Sequence, residues 1–160
     1  MATVTSNKKG YCNGSDMLLY VAGKAVGHCT THNTELNSET KDRAVKPEAS
    51  KGISAGLWKG KGVVGLSISI SADGLNCYGE SESGYKALFA AWKAAKSVTV
   101  KCMERENSDA PYLEGSFVIT SLKRTDPAQD DSTYSISLEN DGEPDTLNED
   151  AITNISEGVV

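Results

Sequence analysis

The chain has 160 residues and a formal net charge of −6, from 16 Lys and Arg against 22 Asp and Glu. That length suits one domain able to bury a core. The acidic balance excludes general nucleic-acid binding, which needs a basic footprint, and the 15 glycines among many Ser, Thr and Asn fit a β-protein rich in turns.

Residues 1–14 are polar and without period, which predicts an arm. Residues 1–20 offer no apolar stretch of the signal-peptide kind, so synthesis in the cytoplasm is expected, with Cys12, Cys29, Cys77 and Cys102 reduced. No run approaches transmembrane length. Asp16–Ala22 reads as an apolar strand, Gly23-Lys24 as a tight turn, and Ala25–Thr31 as the returning strand of a hairpin. Residues 34–40 extend the sheet. Residues 41–62 show neither period and hold Pro47 and four glycines, which predicts a long loop. Ile53, Leu57 and Trp58 are unusual in a plain linker, so the loop is expected either to dock on something as an extended arm or to fold back on its own domain.

Leu66–Ala72 is the cleanest strand, with Leu66, Ile68, Ile70 and Ala72 inward and Ser67, Ser69 and Ser71 outward. Asp73-Gly74 then marks a turn. A helix follows at about residues 81–96. Tyr85, Leu88, Phe89 and Trp92 recur at i, i+3, i+4 and i+7 and predict its core face, with Ser81 or Ser83 as cap. Its other positions are largely alanine, which points either to helix propensity alone or to a second close-packed contact. The period then becomes two through Val98, Val100 and Cys102. Cys77 and Cys102 both read as small core residues. Strands over Tyr112–Leu122 and Thr133–Glu139 complete the set, and the second again faces serine outward, at Ser135 and Ser137. Residues 145–160 read as an acidic tail after a single β-domain over residues 15–144.

Charge is unevenly placed. No Lys, Arg or His follows Arg124, while ten acids do, from Asp126 to Glu157. Lys41, Arg43, Lys46, Lys51, Lys59 and Lys61 make the loop basic. Such a chain can be self-complementary, the basic loop of one copy meeting the acidic end of another.

Catalytic and cofactor motifs fail on context. Gly60-Lys-Gly-Val-Val-Gly matches a dinucleotide fingerprint by letter but precedes a strand rather than opening a helix. His28, Cys29 and His32 lack the spacing of a metal site, and adjacent strand residues point to opposite faces. No nucleophile and base are in evidence. The chain is expected to need no cofactor or metal and not to be an enzyme.

Gly14-Ser-Asp-Met-Leu-Leu-Tyr-Val-Ala-Gly-Lys-Ala-Val-Gly-His, Ser38-Glu-Thr-Lys-Asp, Leu66-Ser-Ile-Ser-Ile-Ser-Ala-Asp-Gly-Leu and Thr133-Tyr-Ser-Ile-Ser-Leu-Glu-Asn-Asp-Gly-Glu resemble, in this order, the major tail tube proteins of long-tailed bacteriophages. The resemblance covers residues 14–143. It implies a mainly β fold, a sandwich or barrel with one flanking helix, that assembles into stacked hexameric rings. Viral DNA would pass through the tube unbound on its way into the host. It also implies a place in the virion tail, without membrane contact, and partners in a tail initiator or baseplate, a tape measure and a tail terminator. On this reading Lys41, Arg43, Lys46, Ile53, Leu57, Trp58, Lys59 and Lys61 belong to an inter-ring loop, and Ser67, Ser69, Ser71, Ser135 and Ser137 are candidates to face the lumen. The alternative is a monomeric or dimeric β-sandwich module that binds or decorates a virion.

Overall fold

The computed structural model describes residues 11–44, 46, 58–78, 84–105 and 110–148. A short 3-10 turn, Gly14–Asp16, leads into β1 (Met17–Val21), β2 (Lys24–Ala25), β3 (Cys29–Arg43), β4 (Gly60–Leu75), α1 (Tyr85–Lys93), β5 (Val98–Glu104), β6 (Leu113–Thr125), β7 (Thr133–Asn140) and β8 (Thr146–Leu147). The strands form one antiparallel sheet in the order β2-β1-β5-β6-β7-β4-β3, with β8 beside β6. The fold is mainly β with one helix, as expected. The sheet is not closed: no ladder joins β2 to β3 among the described residues.

Its edges nevertheless lie near each other. β2 and β3 stand at opposite ends of the strand order but are joined by Val26–His28 alone. At about 3.3–3.6 Å per residue, that link spans no more than roughly 14 Å. The sheet must therefore roll. One bond fastens the crossing to the middle of the sheet, from the Tyr134 hydroxyl to the Gly27 oxygen, while Leu75 N–H, donating to the His28 oxygen at 3.1 Å, continues the β3–β4 ladder into it. Inside are Leu19, Val21, Ile68, Ile70, Val100, Cys102, Phe117, Ile136 and Leu138, with Leu88 from the helix. Each contributes about 1.5–3 kcal/mol by leaving water.

Several expectations are corrected. Ala22 and Gly23 turn the chain with positive φ, but β2 lasts two residues before the chain crosses to the other edge, so residues 16–31 are not a simple hairpin. Lys41–Arg43 and Gly60–Gly62 are not loop. They pair, Lys41 with Gly62 and Arg43 with Gly60, as the far end of a long β3–β4 hairpin. Both faces of the hairpin there are exposed, so no apolar alternation marks it. The glycine run 60–65 lies inside β4. Asp73-Gly74 is strand too, opposite Ser135 and Tyr134.

The helix is shorter than expected. Gly84 stands at its N-cap without a side-chain bond, and Ala95, at φ 54°, turns the chain toward β5. Ser81 and Ser83 lie outside the described residues. Cys77 is exposed, while Cys102 is buried as expected.

Candidate functional site

The chemistry of this chain lies on one face of the sheet. Residues directly opposite in a ladder share a face. Asp73 pairs with Ser135, Ser71 with Ser137, and Ser69 with Glu139. On one side Thr31, Asn33, Glu35 and Asn37 oppose Asp73, Ser71, Ser69 and Ser67. On the other side Lys123, Ser121 and Val118 oppose Ser135, Ser137 and Glu139. The five serines singled out by the sequence thus fall on one polar field spanning β6, β7, β4 and β3. Hydrogen bonds knit it: Ser135 Oγ donates to Asp73 Oδ1, and Asn37 Nδ2 donates to Ser69 Oγ at 3.4 Å. Glu35, Asp73 and Glu139 outweigh Lys123 in charge there, so the field leans negative. It offers hydroxyls and carboxylates, which do not hold phosphate as Lys and Arg do.

The other face is apolar, and a β-bulge keeps it so. The register of β6 against β7 shifts between Ile119 and Ser121, so Ile119 and Leu122 both oppose core residues, Leu138 and Ile136, although they are three apart. The alternation rule could not anticipate that shift.

Among the described residues, no ladder borders either edge of the field. β5 covers β6 only from Leu113 to Phe117. Beyond that, Val118–Thr125 pairs with β7 on one side and with no described strand on the other. β3 pairs with β4 and with no other described strand. Such edges present unpaired amides and carbonyls and invite another strand.

The helix lies along the free part of β6. Arg124 sits over the Tyr85 ring, 5.5 Å from its centroid, and a groove beside Trp92 is lined by Val118 and Ile119. Of the four residues read as a core face, Leu88 is 1% exposed and Tyr85 packs on the core, but Phe89 is 43% and Trp92 50% exposed. The inward helix face is Tyr85, Leu88 and Ala91; Phe89 and Trp92 are not core. The helix rests on the sheet by a narrow stripe, and the wider apolar stripe overhangs it. Tyr85, Phe89 and Trp92 form an aromatic row with centroids 6.3 and 6.1 Å apart.

The basic hairpin end is exposed. Lys41, Arg43, Lys46, Trp58, Lys59 and Lys61 are all on the surface, with Lys61 3.9 Å from Asp42. Ile53 and Leu57 lie outside the described residues. At the opposite end of the sheet, the β6–β7 turn carries Asp126, Asp130 and Asp131. There a hydrogen bond from Ser132, then one from Arg124 at 2.9 Å, holds the Asp126 carboxyl below its usual range.

A second cavity opens between the rolled edges, lined by Met17, Leu18, Val26, His32, Arg105 and Tyr112. Burial lowers the His32 pKa and raises that of Cys29. Among the described residues no three His, Cys, Asp or Glu side chains come together as a metal site. No described helix is long and apolar enough to cross a membrane.

Residues 11–146 match the family model of the phage tail tube protein. The fold is similar to that of a chain in the virion of a native gene transfer agent particle, at 16% identity over 84% of this chain and 97% of that one, with a TM-score of 0.66. It is also similar to a chain in the tail of an empty gene transfer agent particle with C6 symmetry, at 17% identity over 86% and 99% of the two chains, with a TM-score of 0.65. The SPP1 tail tube is similar at 21% identity over 91% and 87%, with a TM-score of 0.53. No curated protein matches the chain by sequence.

Proposed function

We propose that this chain, which belongs to the phage tail tube protein family, is the subunit of a tube of stacked six-membered rings through which viral DNA reaches the host. Its role is structural and not catalytic. The observation that carries the reading is the polar field, bordered on each side by an edge that no other described strand pairs.

Four strands, β6-β7-β4-β3, run alternately, so β3 is antiparallel to β6. A rotation about a tube axis does not reverse strand direction along that axis. The β3 edge of one copy therefore meets Val118–Thr125 of the next as an antiparallel pair, and repetition closes a barrel without edges. The six-fold count is supported by the C6 symmetry of the gene transfer agent tail. The polar field lines the channel, with Ser67, Ser69, Ser71, Ser135 and Ser137 toward DNA. A wall of hydroxyls and carboxylates lets a polyanion slide, whereas lysines would accumulate phosphate contacts.

Stacking follows from the two ends. The hairpin end projects where β7 finishes, and the Asp126–Asp131 turn lies where β7 begins. In a head-to-tail stack, the basic hairpin of one ring meets this acidic turn of the next. An initiator or baseplate, a tape measure and a terminator would bound the tube.

Hydrogen exchange tests the lateral contact. Amides in Thr31–Glu39 and Val118–Thr125 should exchange fast in the unassembled protein and gain protection in assembled particles. Alternate residues should respond, as a ladder requires. Unchanged exchange in both stretches would overturn the edge pairing.

A further inference from the structure

We infer that the aromatic row Tyr85–Phe89–Trp92 is a docking surface for a second copy of this chain, which fills it with Leu36 and Leu66 from the β3–β4 hairpin. The inference rests on the lateral pairing proposed above and goes beyond it, because a ladder alone asks nothing of side chains.

Leu36 and Leu66 are the exposed apolar counterpart. On the apolar face of the sheet, Ser38 opposes Leu66, and Leu36 opposes the buried Ile68. The two leucines continue the core stripe of Ile68, Ile70 and Ala72 past the end of β7, where no described strand covers it. Leu36 is 66% exposed and Leu66 77%. A hairpin seldom leaves a leucine of its core face in water on each of its strands unless something covers them.

The geometry brings the two surfaces together. Helix α1 stands on the apolar side of β6, beside Val118–Thr125, with Tyr85 near Arg124 and Trp92 near Val118 and Ile119. A strand added to that edge lies under the overhanging helix. If the strand is β3 of a second copy with its polar face continuous with the field, its other face carries Thr34, Leu36 and Ser38 toward the helix. Leu66, diagonal to Leu36, follows. The charges of the opposite face are compatible: β3 brings Glu35 and Glu39 to an edge where β6 presents Lys123. The apolar core of each copy is then completed by its neighbour.

The test uses the full chain with Cys12, Cys29 and Cys77 changed to Ser. Leu36→Cys and Trp92→Cys are combined, and assembled particles are treated with a short bismaleimide. Covalent multimers are expected on denaturing gels. Linkage only within one chain would overturn the inference. In the wild-type background, Leu36→Ala and Trp92→Ala should each raise the critical concentration for assembly roughly tenfold. The pair together should do little more, since both remove the same contact. The unassembled variants should melt close to wild type. Wild-type critical concentrations in both variants, with normal particles and no covalent multimers, would overturn the docking surface while leaving the tube intact. A wild-type chain that never assembles would instead strike the tube reading itself.

Discussion

The hydroxyl of Tyr134, in β7, donates to the main-chain oxygen of Gly27, 107 residues earlier in the chain. That bond ties the crossing between β2 and β3 to the middle of the sheet, where the roll is decided. The Tyr134 ring reaches it by lying over Gly74, where a Cβ would stand 2.6 Å from Cζ and the hydroxyl oxygen. Tyr134→Phe leaves a buried carbonyl without its partner and should cost about 1–3 kcal/mol. Gly74→Ala should cost a similar amount, about 1–3 kcal/mol, through overpacking. Because ring and glycine touch, the double variant should depart from additivity in denaturant unfolding. Additive losses would mean that the two sites act independently.

Leu88 and Trp92 sit one helical turn apart and should behave differently in the unassembled protein. Leu88→Ala removes a fully buried side chain and should cost about 2–5 kcal/mol. Trp92→Ala removes a ring half in water and should cost about 1 kcal/mol or less. Thermal or urea unfolding measures both. A loss for Trp92→Ala as large as that for Leu88→Ala would place the indole in the core.

The cysteines should separate by reactivity. The thiolate is the nucleophile, and burial pushes the Cys102 thiol up to about 12. Under native, mildly alkaline conditions, a disulfide reagent should label the exposed Cys12 and Cys77 readily. Cys29 is on the surface too but should lag, because partial burial raises its pKa. Cys102 should react only after unfolding. Rapid labelling of Cys102 in the folded protein would contradict the packing of β5 against β6.

Much of this was legible in the sequence, for a physical reason. Ile68, Ile70, Ala72, Tyr134, Ile136 and Leu138 alternate with small polar residues because one face of β4 and β7 is buried and the other is not. β3 is an edge strand exposed on both sides, so Thr31–Arg43 carries no alternation and its far end read as loop. Asp73-Gly74 looked like a turn, yet the glycine serves the close approach of Tyr134. Periodicity marks the helix stripe but does not say how much of an apolar face a narrow support can cover. Phe89 and Trp92 therefore read as core.

Stacking should respond to charge at the two ends of the sheet. Reversing Lys41, Arg43 and Lys46 together, all exposed, should leave the subunit folded and rings intact but shorten tubes. The effect should be largest at low salt, where screening is weakest. Adding Asp130→Lys and Asp131→Lys should restore part of the length. Tubes of normal length in the first variant would remove the hairpin's electrostatic role.

Copies of this chain should close a channel through the β3 and β6 edges. Electron microscopy of the purified protein across a concentration series, with light scattering on the same samples, tests it most directly. Rings and hollow tubes with six-fold end views are expected, with the polar field toward the channel and helix α1 away from it. A chain that stays monomeric throughout the series, or particles with no channel, would contradict it.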